Sequence, residues 1–258
     1  MEERLQKVLS QWGIASRREA EEMIRRSRVR INGVLAQIGQ KVNPQKDRIT
    51  VDGQLISAQP RPALVYLLLN KPAGVVSTCE DPQGRQTVLD LLPPELRTGQ
   101  GIHPVGRLDT NSTGAILLTN DGDLTFNLTH PRHNIPKTYQ VWVKGHPPES
   151  VLQTWRAGVL LEGRKTRPAK IQIIHQLAEQ TCLEIILQEG RNRQIRKVAQ
   201  QLGYPVAKLH RTKIGSISLQ TSPKAYLPPG KYRYLDEHEI ICLQQSIKQI
   251  PINDSAGF

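Results

Sequence analysis

Apolar positions in the first sixty residues follow the helical period before they follow the period of a strand. Leu5, Val8 and Leu9 recur at the three- and four-residue spacing of one helical face, and Gly13 ends that helix. Ser16 and Glu19 have the spacing of a capping box, which predicts a second helix over the segment SRREAEEMIRRS. The sequence therefore begins with a helix pair.

Two hairpins follow the helix pair. In VRINGVLA and in RITVDGQLI, apolar residues alternate on both sides of an Asn-Gly or Asp-Gly dipeptide, the strongest short-range signal of a two-residue turn. Two short helices and a few short strands bury little apolar surface. We therefore expect this unit to work by presenting a surface.

From about residue 64 the pattern is mostly that of strands. The strand segments are LVYLLLN, GAILLT, YQVWVKG, AKIQIIHQ and CLEIILQ, and the last two are spaced as an antiparallel hairpin. Helical periodicity is confined to ESVLQTWRAGV and RNRQIRKVAQQLG. The segment 120–123 (NDGD) resembles the start of a calcium loop without its downstream glutamate, and we expect a hairpin turn there. This pattern predicts an α+β fold with a mixed, mainly antiparallel sheet.

A compositional break separates the two parts of the chain. Pro60 and Pro62 disfavour regular structure and indicate a linker. We expect a small domain over 1–58, a linker over 59–63, a larger domain over 64–244 and a polar tail over 245–258.

The balance of basic and acidic residues is the most informative feature of the composition. Lysine and arginine outnumber aspartate and glutamate by 35 to 23, which gives a net charge of +12 and indicates a polyanionic partner. The run 25–30 concentrates four arginines, which repel one another unless an anion relieves them. A solvated surface explains part of this pattern and a nucleic-acid interface explains the rest. The candidate RNA-binding residues of the small domain are Arg4, Lys7, Arg17, Arg18, Arg25, Arg28 and Arg30.

Several classes of function find no support in the sequence. The apolar runs are too short to span a bilayer, and the N-terminal residues do not resemble a secretory signal. Three scattered cysteines favour a reducing cytoplasm. No phosphate-binding loop or dinucleotide fingerprint occurs, and His130 and His133 have no cysteine or carboxylate at ligand spacing. We expect no cofactor, no metal and no membrane partner.

Four places recruit charged or aromatic residues beyond the needs of folding. HPVGRLDTNSTG holds Arg107 and Asp109 in a glycine-flanked turn, which is either an ordinary polar loop or a carboxylate directed at a substrate. Lys71 directly follows a strand, and Tyr139 opens one; both positions are also compatible with purely structural roles. The fourth place is QEGRNRQIRKV, a basic helix whose Ile195 turns toward the core.

These four places, taken together, resemble the pseudouridine synthases that modify bacterial ribosomal RNA. GRLDTNSTGAILLTNDGDL resembles the signature of the family, and KPAGVVSTCEDPQGRQTVLDLLP, KTYQVWVKG and EGRNRQIRKV resemble its flanking motifs in the expected order. The first sixty residues resemble the α-L RNA-binding domain that precedes the catalytic domain in the branch that modifies single uridines of 16S or 23S rRNA. The resemblance extends from about residue 3 to residue 240.

The resemblance implies a reaction and the residues that perform it. The bond between ribose and uracil N1 is broken, the base rotates, and it is rejoined through C5, without any cofactor. The catalytic aspartate of the family falls on Asp109, and its basic partner falls on Arg196, whose charge would keep the carboxylate ionised. Tyr139 matches the tyrosine that packs against the uracil.

Substrate binding is implied at four further positions. Arg107 matches an arginine that holds the target nucleotide out of its stack. Ile195 falls where the family has an aliphatic residue lining the pocket, and we place Lys71 and Arg193 with the substrate-binding residues.

The target is less defined than the reaction. EGRNRQIRK resembles the large-subunit-modifying members more than the small-subunit ones, which favours 23S over 16S rRNA, either as free RNA or in a pre-ribosomal particle. A monomer in the cytoplasm is the expected form. A non-catalytic RNA-binding or ribosome-assembly factor is the alternative function.

Overall fold

The computed structural model describes residues 2–56 and 61–248. The helices are α1 (Leu5–Gln11), α2 (Arg17–Arg25), α3 (Pro94–Arg97), α4 (Gly122–Thr129), α5 (Glu149–Ala157), α6 (Gln194–Gln201) and α7 (Glu237–Lys248). The expected linker residues 59 and 60 and the expected tail residues 249–258 lie outside the described residues. Residues 245–248, which the sequence pattern assigns to the tail, form the last turn of α7.

The strands occur in runs between these helices. They are β1 (Glu3–Arg4), β2 (Val29–Ile31), β3 (Val34–Leu35), β4 (Lys41–Val42), β5 (Ile49–Val51), β6 (Gln54–Leu55), β7 (Tyr66–Lys71), β8 (His103–Val105), β9 (Thr113–Thr119), β10 (Lys137–Lys144), β11 (Leu160–Leu161), β12 (Arg164–Lys165), β13 (Lys170–Gln176), β14 (Gln180–Leu187), β15 (Val206–Ile214), β16 (Ile217–Ser218), β17 (Gln220–Ser222), β18 (Ala225–Tyr226) and β19 (Tyr232–Tyr234).

The N-terminal unit packs the helix pair against a small sheet of order β3-β2-β5-β6. Both elements of the predicted capping box are present, since the side chain of Ser16 accepts the Glu19 N–H and that of Glu19 accepts the Ser16 N–H. The Asn-Gly and Asp-Gly turns lie where they were predicted, between β2 and β3 and between β5 and β6. The unit buries more than expected, because Leu5, Leu9 and Ile49 belong to a hydrophobic core of its own.

The second part of the chain is built on one large sheet. Its main order is β13-β14-β10-β15-β9-β7-β19, with β16 paired to β15 and β8 paired to β9. Only the pairing of β15 with β9 is parallel, and the predicted hairpin of β13 with β14 is present. The expectation of an α+β fold with a mixed, mainly antiparallel sheet is confirmed.

Four residues on adjacent strands form a row across the centre of the sheet, next to the candidate site. Lys71 on β7 lies opposite Gly114 on β9, Gly114 lies opposite Arg211 on β15, and Arg211 lies opposite Tyr139 on β10. Gly114 has φ +110°, and a Cβ there would lie 2.2 Å from the Arg211 carbonyl oxygen. Only glycine therefore lets β9 and β15 approach at this row.

The expected hairpin turn at 120–123 is wrong. Asp121 is the N-cap of α4, and its carboxylate accepts the backbone N–H groups of Asp123 and Leu124. A capping aspartate followed by glycine has the same local composition as a turn. The apolar residues Leu124 and Leu128, which are buried on α4, distinguish a helix from a turn at this segment.

The two units are in direct contact. Gly13 at the end of the first helix approaches Gly99 so closely that a Cβ would lie 2.0 Å from the Gly99 carbonyl oxygen. Lys7 Nζ lies 3.4 Å from Asp123 Oδ1 across the same boundary. No helix in the described ranges has the length and apolar character needed to cross a bilayer.

Candidate active site

A single cleft of about 450 Å³ brings together residues that are far apart in the sequence. It opens between the loop joining β8 to β9, the strand β10 and the start of α6. Six of the seven candidate catalytic and substrate-binding residues line it, namely Arg107, Asp109, Tyr139, Arg193, Ile195 and Arg196. The seventh, Lys71, does not line the cleft, and its side chain is fully buried.

The loop that carries Asp109 is held at the residues on both sides of the carboxylate. Leu108 is held by the buried hydroxyl of Ser77, which donates to its carbonyl at 2.9 Å and accepts its N–H at 3.1 Å. Ser112 closes a turn by donating its N–H to the Asp109 carbonyl at 2.9 Å. Thr113 is within 2.8 Å of the Nδ1 atom of His210. A carboxylate on so constrained a loop is preorganised for its substrate.

Lys71 connects this loop to the segment after β7. Its ammonium donates to the carbonyl oxygens of Pro72 at 2.9 Å, Val75 at 2.7 Å and Thr110 at 3.3 Å. Burial lowers the pKa of Lys71 to about 8, with the charge of Asp109 opposing and that of Arg211 reinforcing the shift. Since all three donors are used on backbone carbonyls, Lys71 acts on the position of Asp109 and not directly on a substrate.

The ion pair of Asp109 differs from the expected one. Arg193 Nη1 lies 3.4 Å from Asp109 Oδ2, whereas Arg196 donates to the Asn111 carbonyl at 3.1 Å and the Ser112 hydroxyl at 3.3 Å. Arg193 can reach the carboxylate because it is the left-handed N-cap of α6, with φ 51°. The sequence analysis placed Arg193 within the helix predicted over RNRQIRKVAQQLG.

Electrostatics still connect Arg196 to the carboxylate. Burial lowers the pKa of Arg196, the charge of Arg193 acts in the same direction, and the charge of Asp109 opposes both. The side chains of Asp109 and Arg193 are 35% and 46% exposed, so solvent screens their ion pair. Arg193 therefore orients the carboxylate more than it stabilises the fold, and Arg196 holds the backbone that carries it.

Tyr139 and Ile195 form the apolar wall of the cleft. Tyr139 is half-buried on β10 and packs against the core cluster beneath α6. Ile195 is buried in the same cluster, as its helical spacing predicted. Asp109 thus faces an aromatic ring and an aliphatic side chain across a small space, which suits a flat, partly polar ring such as a nucleobase.

Two cations that line the cleft were missed by the sequence analysis. Arg211 is 5% exposed; its Nε donates to the Ala115 carbonyl at 2.7 Å, and its Nη2 has no hydrogen-bond partner in the described part of the chain. Burial and the charge of Arg211 lower the pKa of Lys137 to about 8. The only local signal for Arg211 is an arginine at the position, two residues after Leu209, where an alternating strand would place an apolar side chain.

Arg107 lies at the junction of two depressions. It is exposed, makes no hydrogen bond or ion pair within the described ranges, and lines both the cleft and a neighbouring groove. Arg17 and Arg18, at the start of α2, line the far side of that groove, and Asp109 lies at its inner end. The groove therefore continues the cleft toward the N-terminal unit, and it is lined by Arg17, Arg18, Arg85 and Arg107 together with the carboxylates of Glu19, Glu80, Asp81 and Asp109.

The seven candidate RNA-binding residues are not equally free. Arg4, Arg17 and Arg18 are exposed and have no ion-pair or hydrogen-bond partner for their guanidinium groups among the described residues. The other four are engaged within the protein: Lys7 with Glu3 and Asp123, Arg25 with Glu22, Arg28 with Asp52, and Arg30 with the Gly33 carbonyl.

Comparison with known proteins agrees with this geometry. Residues 65–201 match the family described as RNA pseudouridylate synthase, and residues 3–49 match the S4 domain. An uncharacterised RNA pseudouridine synthase of Mycobacterium tuberculosis (strain ATCC 25618 / H37Rv) is 41% identical over 245 residues, covering 95% of this chain and 94% of the relative. The ribosomal large subunit pseudouridine synthase B of Bacillus subtilis (strain 168) is 39% identical over 241 residues, covering 92% and 94%.

A solved structure extends the comparison to the whole fold. The crystal structure of a pseudouridylate synthase matches with a TM-score of 0.65 and 32% identity, over 93% of this chain and 99% of that one. The chain therefore belongs to the RNA pseudouridylate synthase family and carries an S4 domain before the catalytic domain. The protein is an isomerase that acts on RNA, as the resemblance in the sequence implied.

Proposed function

We propose that the protein converts a uridine of 23S ribosomal RNA to pseudouridine, with Asp109 as the catalytic carboxylate. The observation that carries this proposal is the position of Asp109. Its carboxylate lies on a constrained loop that lines the cleft together with Tyr139, Ile195, Arg107 and Arg193. The other carboxylate that lines the cleft among the described residues is Glu189, which accepts the Arg167 N–H at 2.8 Å and the Gln194 side-chain amide at 2.7 Å.

The reaction needs a group that attacks the nucleotide and a site that retains the freed base. Asp109 supplies the first, held by Arg193 and by a loop fixed at its neighbouring residues. Tyr139 supplies a ring on which uracil stacks while it turns from N1 to C5. The apolar wall at Ile195 keeps water from the sugar, since water would leave an abasic site in place of pseudouridine.

Two buried or half-buried cations that line the cleft serve the same chemistry. Lys137 and Arg211 have no carboxylate among their hydrogen-bond or ion-pair partners in the described ranges. A positive floor of this kind favours a negatively charged uracil after the bond to ribose breaks. We propose that it lowers the barrier to that step.

The large-subunit target rests on two supports. The segment EGRNRQIRK resembles that of the large-subunit-modifying members, and the Bacillus subtilis relative is named as a large-subunit enzyme. We further propose that the protein works as a monomer in the cytoplasm, with its domains bounded near 58 and 64. The substrate is then either free 23S rRNA or a pre-ribosomal particle.

Release of tritium from rRNA labelled at uridine C5 tests the reaction directly, because forming pseudouridine expels the C5 hydrogen. Unmodified 23S and 16S transcripts are compared with ribosomal particles from a strain that lacks the gene. We expect release from the 23S transcript or from large-subunit particles. Release from 16S RNA alone would make the proposed target wrong.

Asp109→Asn tests the catalytic residue. The amide keeps the shape and the hydrogen-bond acceptor of the carboxylate, so we expect tritium release to be abolished while RNA affinity changes only severalfold. The matched control is Asp123→Asn, which changes an exposed carboxylate outside the cleft lining. An equal loss of affinity and turnover in Asp109→Asn would contradict the catalytic role.

A further inference from the structure

An exposed aromatic cluster lies at the edge of the cleft, and His130 is the member of the cluster that also lines the cleft. Phe126 on α4 is 48% exposed, and its ring centroid lies 5.0 Å from that of His130 and 6.2 Å from that of His133. The two histidine rings are 5.9 Å apart and nearly perpendicular. The guanidinium of Arg132 lies 5.3 Å from the centroid of the Phe126 ring. We refer to these four residues as the aromatic rim.

The aromatic rim is held rigidly although it contributes little to the core. The His130 ring accepts the Arg132 backbone N–H at 3.3 Å, and Arg132 Nε donates to His133 Nε2 at 2.8 Å. The core packing of this region comes from Leu128 and other buried aliphatic side chains on the opposite side of α4. Folding therefore does not account for an exposed phenyl ring fixed between two imidazoles.

The aromatic rim lies next to the cleft that contains Asp109. Thr129, His130, Pro131 and Asn134 line the cleft that contains Asp109. The His130 ring belongs to both the cleft and the aromatic rim. An RNA strand that leaves the cleft past His130 would therefore pass Phe126.

The chemistry of the aromatic rim matches that of an unpaired nucleotide. Aromatic rings stack on any base, and a neighbouring arginine attracts the phosphate that joins that base to the next. Burial, with the charges of Arg132 and His130, lowers the pKa of His133, so that ring stays neutral and Arg132 carries the charge. A metal site is not formed there, since no group of three histidine, cysteine or carboxylate ligands occurs in the described part of the chain.

We propose that the aromatic rim, formed by Phe126, His130, Arg132 and His133, is a stacking site for an unpaired base that flanks the target uridine. This proposal rests on the proposed function, because it requires the substrate to be an RNA held at Asp109. It assigns to the helix α4 a part in choosing the substrate, separate from the isomerisation itself.

The test uses the fragment of the 23S transcript that supports tritium release, under single-turnover conditions. Phe126→Leu keeps an apolar side chain and removes the ring. We expect the enzyme concentration at half-maximal rate to rise about 5- to 160-fold, the range that loss of one base–aromatic stack gives, with the maximal rate unchanged. Phe126→Trp should keep the affinity. The matched control is Tyr234→Leu, because Tyr234 is 58% exposed and does not line the cleft.

An abasic scan of the RNA identifies the stacked base. At one flanking position, removal of the base should weaken binding to the wild-type enzyme by the same factor as Phe126→Leu. The two changes combined should then cost no more than either alone. Additive losses at every position would overturn the stacking site, as would a Phe126→Leu enzyme that binds like the wild type.

Other outcomes separate this proposal from the function on which it rests. If the wild-type enzyme releases no tritium from any rRNA or particle, the proposed function fails and the stacking site fails with it. If the wild type is active and Phe126→Leu is equally active, only the stacking site fails. If Phe126→Leu is normal on free RNA and impaired on ribosomal particles, the aromatic rim binds a ribosomal protein, and the stacking site is wrong.

Discussion

At the scale of single residues, the site depends on cations that the fold buries at a cost. Lys71 is fully buried, and its three N–H groups are spent on the carbonyls of Pro72, Val75 and Thr110. Burying an ammonium is unfavourable unless its hydrogen bonds are replaced, and here they are replaced by two carbonyls of the segment after β7 and one carbonyl of the loop that carries Asp109. The cost of burying Lys71 is thus tied to the placement of Asp109.

The pH dependence of stability tests this account of Lys71. Its pKa is lowered by burial from 10.5 to about 8, so below pH 8 both states hold the proton and the cost is present in full. Between these two values only the unfolded state keeps the proton, so the free energy of unfolding rises with pH. We expect the wild type to gain on the order of 3 kcal/mol relative to Lys71→Met over this interval.

Urea unfolding at about pH 7 and about pH 10 measures that difference. Lys137, whose pKa is also about 8, is present in both proteins, so its titration cancels from the comparison. Parallel pH profiles for wild type and Lys71→Met would show that Lys71 titrates as an ordinary lysine. Carboxylates and histidines do not interfere, because they titrate below this range.

At the scale of helices and strands, the sequence predicted the elements whose signals are local. The capping box of α2, both hairpins of the N-terminal unit and the hairpin of β13 with β14 follow from spacing within a few residues. The cleft residues were instead implied by the resemblance to the pseudouridine synthases, and six of the seven line the cleft, from the loop before β9, the strand β10 and the start of α6.

The missed elements are those decided by contacts between distant parts of the chain. β15 carries four charged or imidazole side chains beside its apolar residues, and it becomes a central strand only because it pairs with β10 and β9. Arg211 was missed for the same reason, since its burial depends on a parallel neighbour almost a hundred residues earlier. The Asp109–Arg193 ion pair depends on one left-handed residue, which periodicity does not predict.

The cap of α4 offers a test at this scale. Asp121 accepts two backbone N–H groups at the start of the helix and the Tyr66 hydroxyl at 2.9 Å. We expect Asp121→Ala to lower the free energy of unfolding by about 1–2 kcal/mol, since the cap is lost. Asp121→Asn keeps a cap acceptor and should remain close to the wild type. Urea unfolding compares the three proteins, and equal losses in both variants would mean that the charge matters and the cap does not.

At the scale of the whole molecule, the N-terminal unit and the catalytic domain line one groove together. The groove between them carries Arg17 and Arg18 on one side and Arg107 on the other, and it ends at Asp109. A net charge of +12 attracts RNA to the whole surface, but only guanidinium groups without an internal partner can replace the counterions of a phosphate. By this argument the start of α2 is a stronger RNA contact than the arginine run that follows the helix.

Two matched double variants compare the start of α2 with the arginine run 25–30 of the same domain. We expect Arg17→Ala with Arg18→Ala to weaken RNA binding and to reduce the salt dependence of the affinity by about 0.7 per lost phosphate contact. Arg25→Ala with Arg28→Ala removes the same charge from side chains that already pair with Glu22 and Asp52, so its effect on the salt dependence should be smaller. The affinity is measured over a series of salt concentrations with the same rRNA fragment. Equal slopes for the two variants would mean that RNA displaces the internal ion pairs and that the binding surface extends along the whole of α2. A reduced salt dependence in the first variant alone would mean that the start of α2 guides the RNA strand into the cleft.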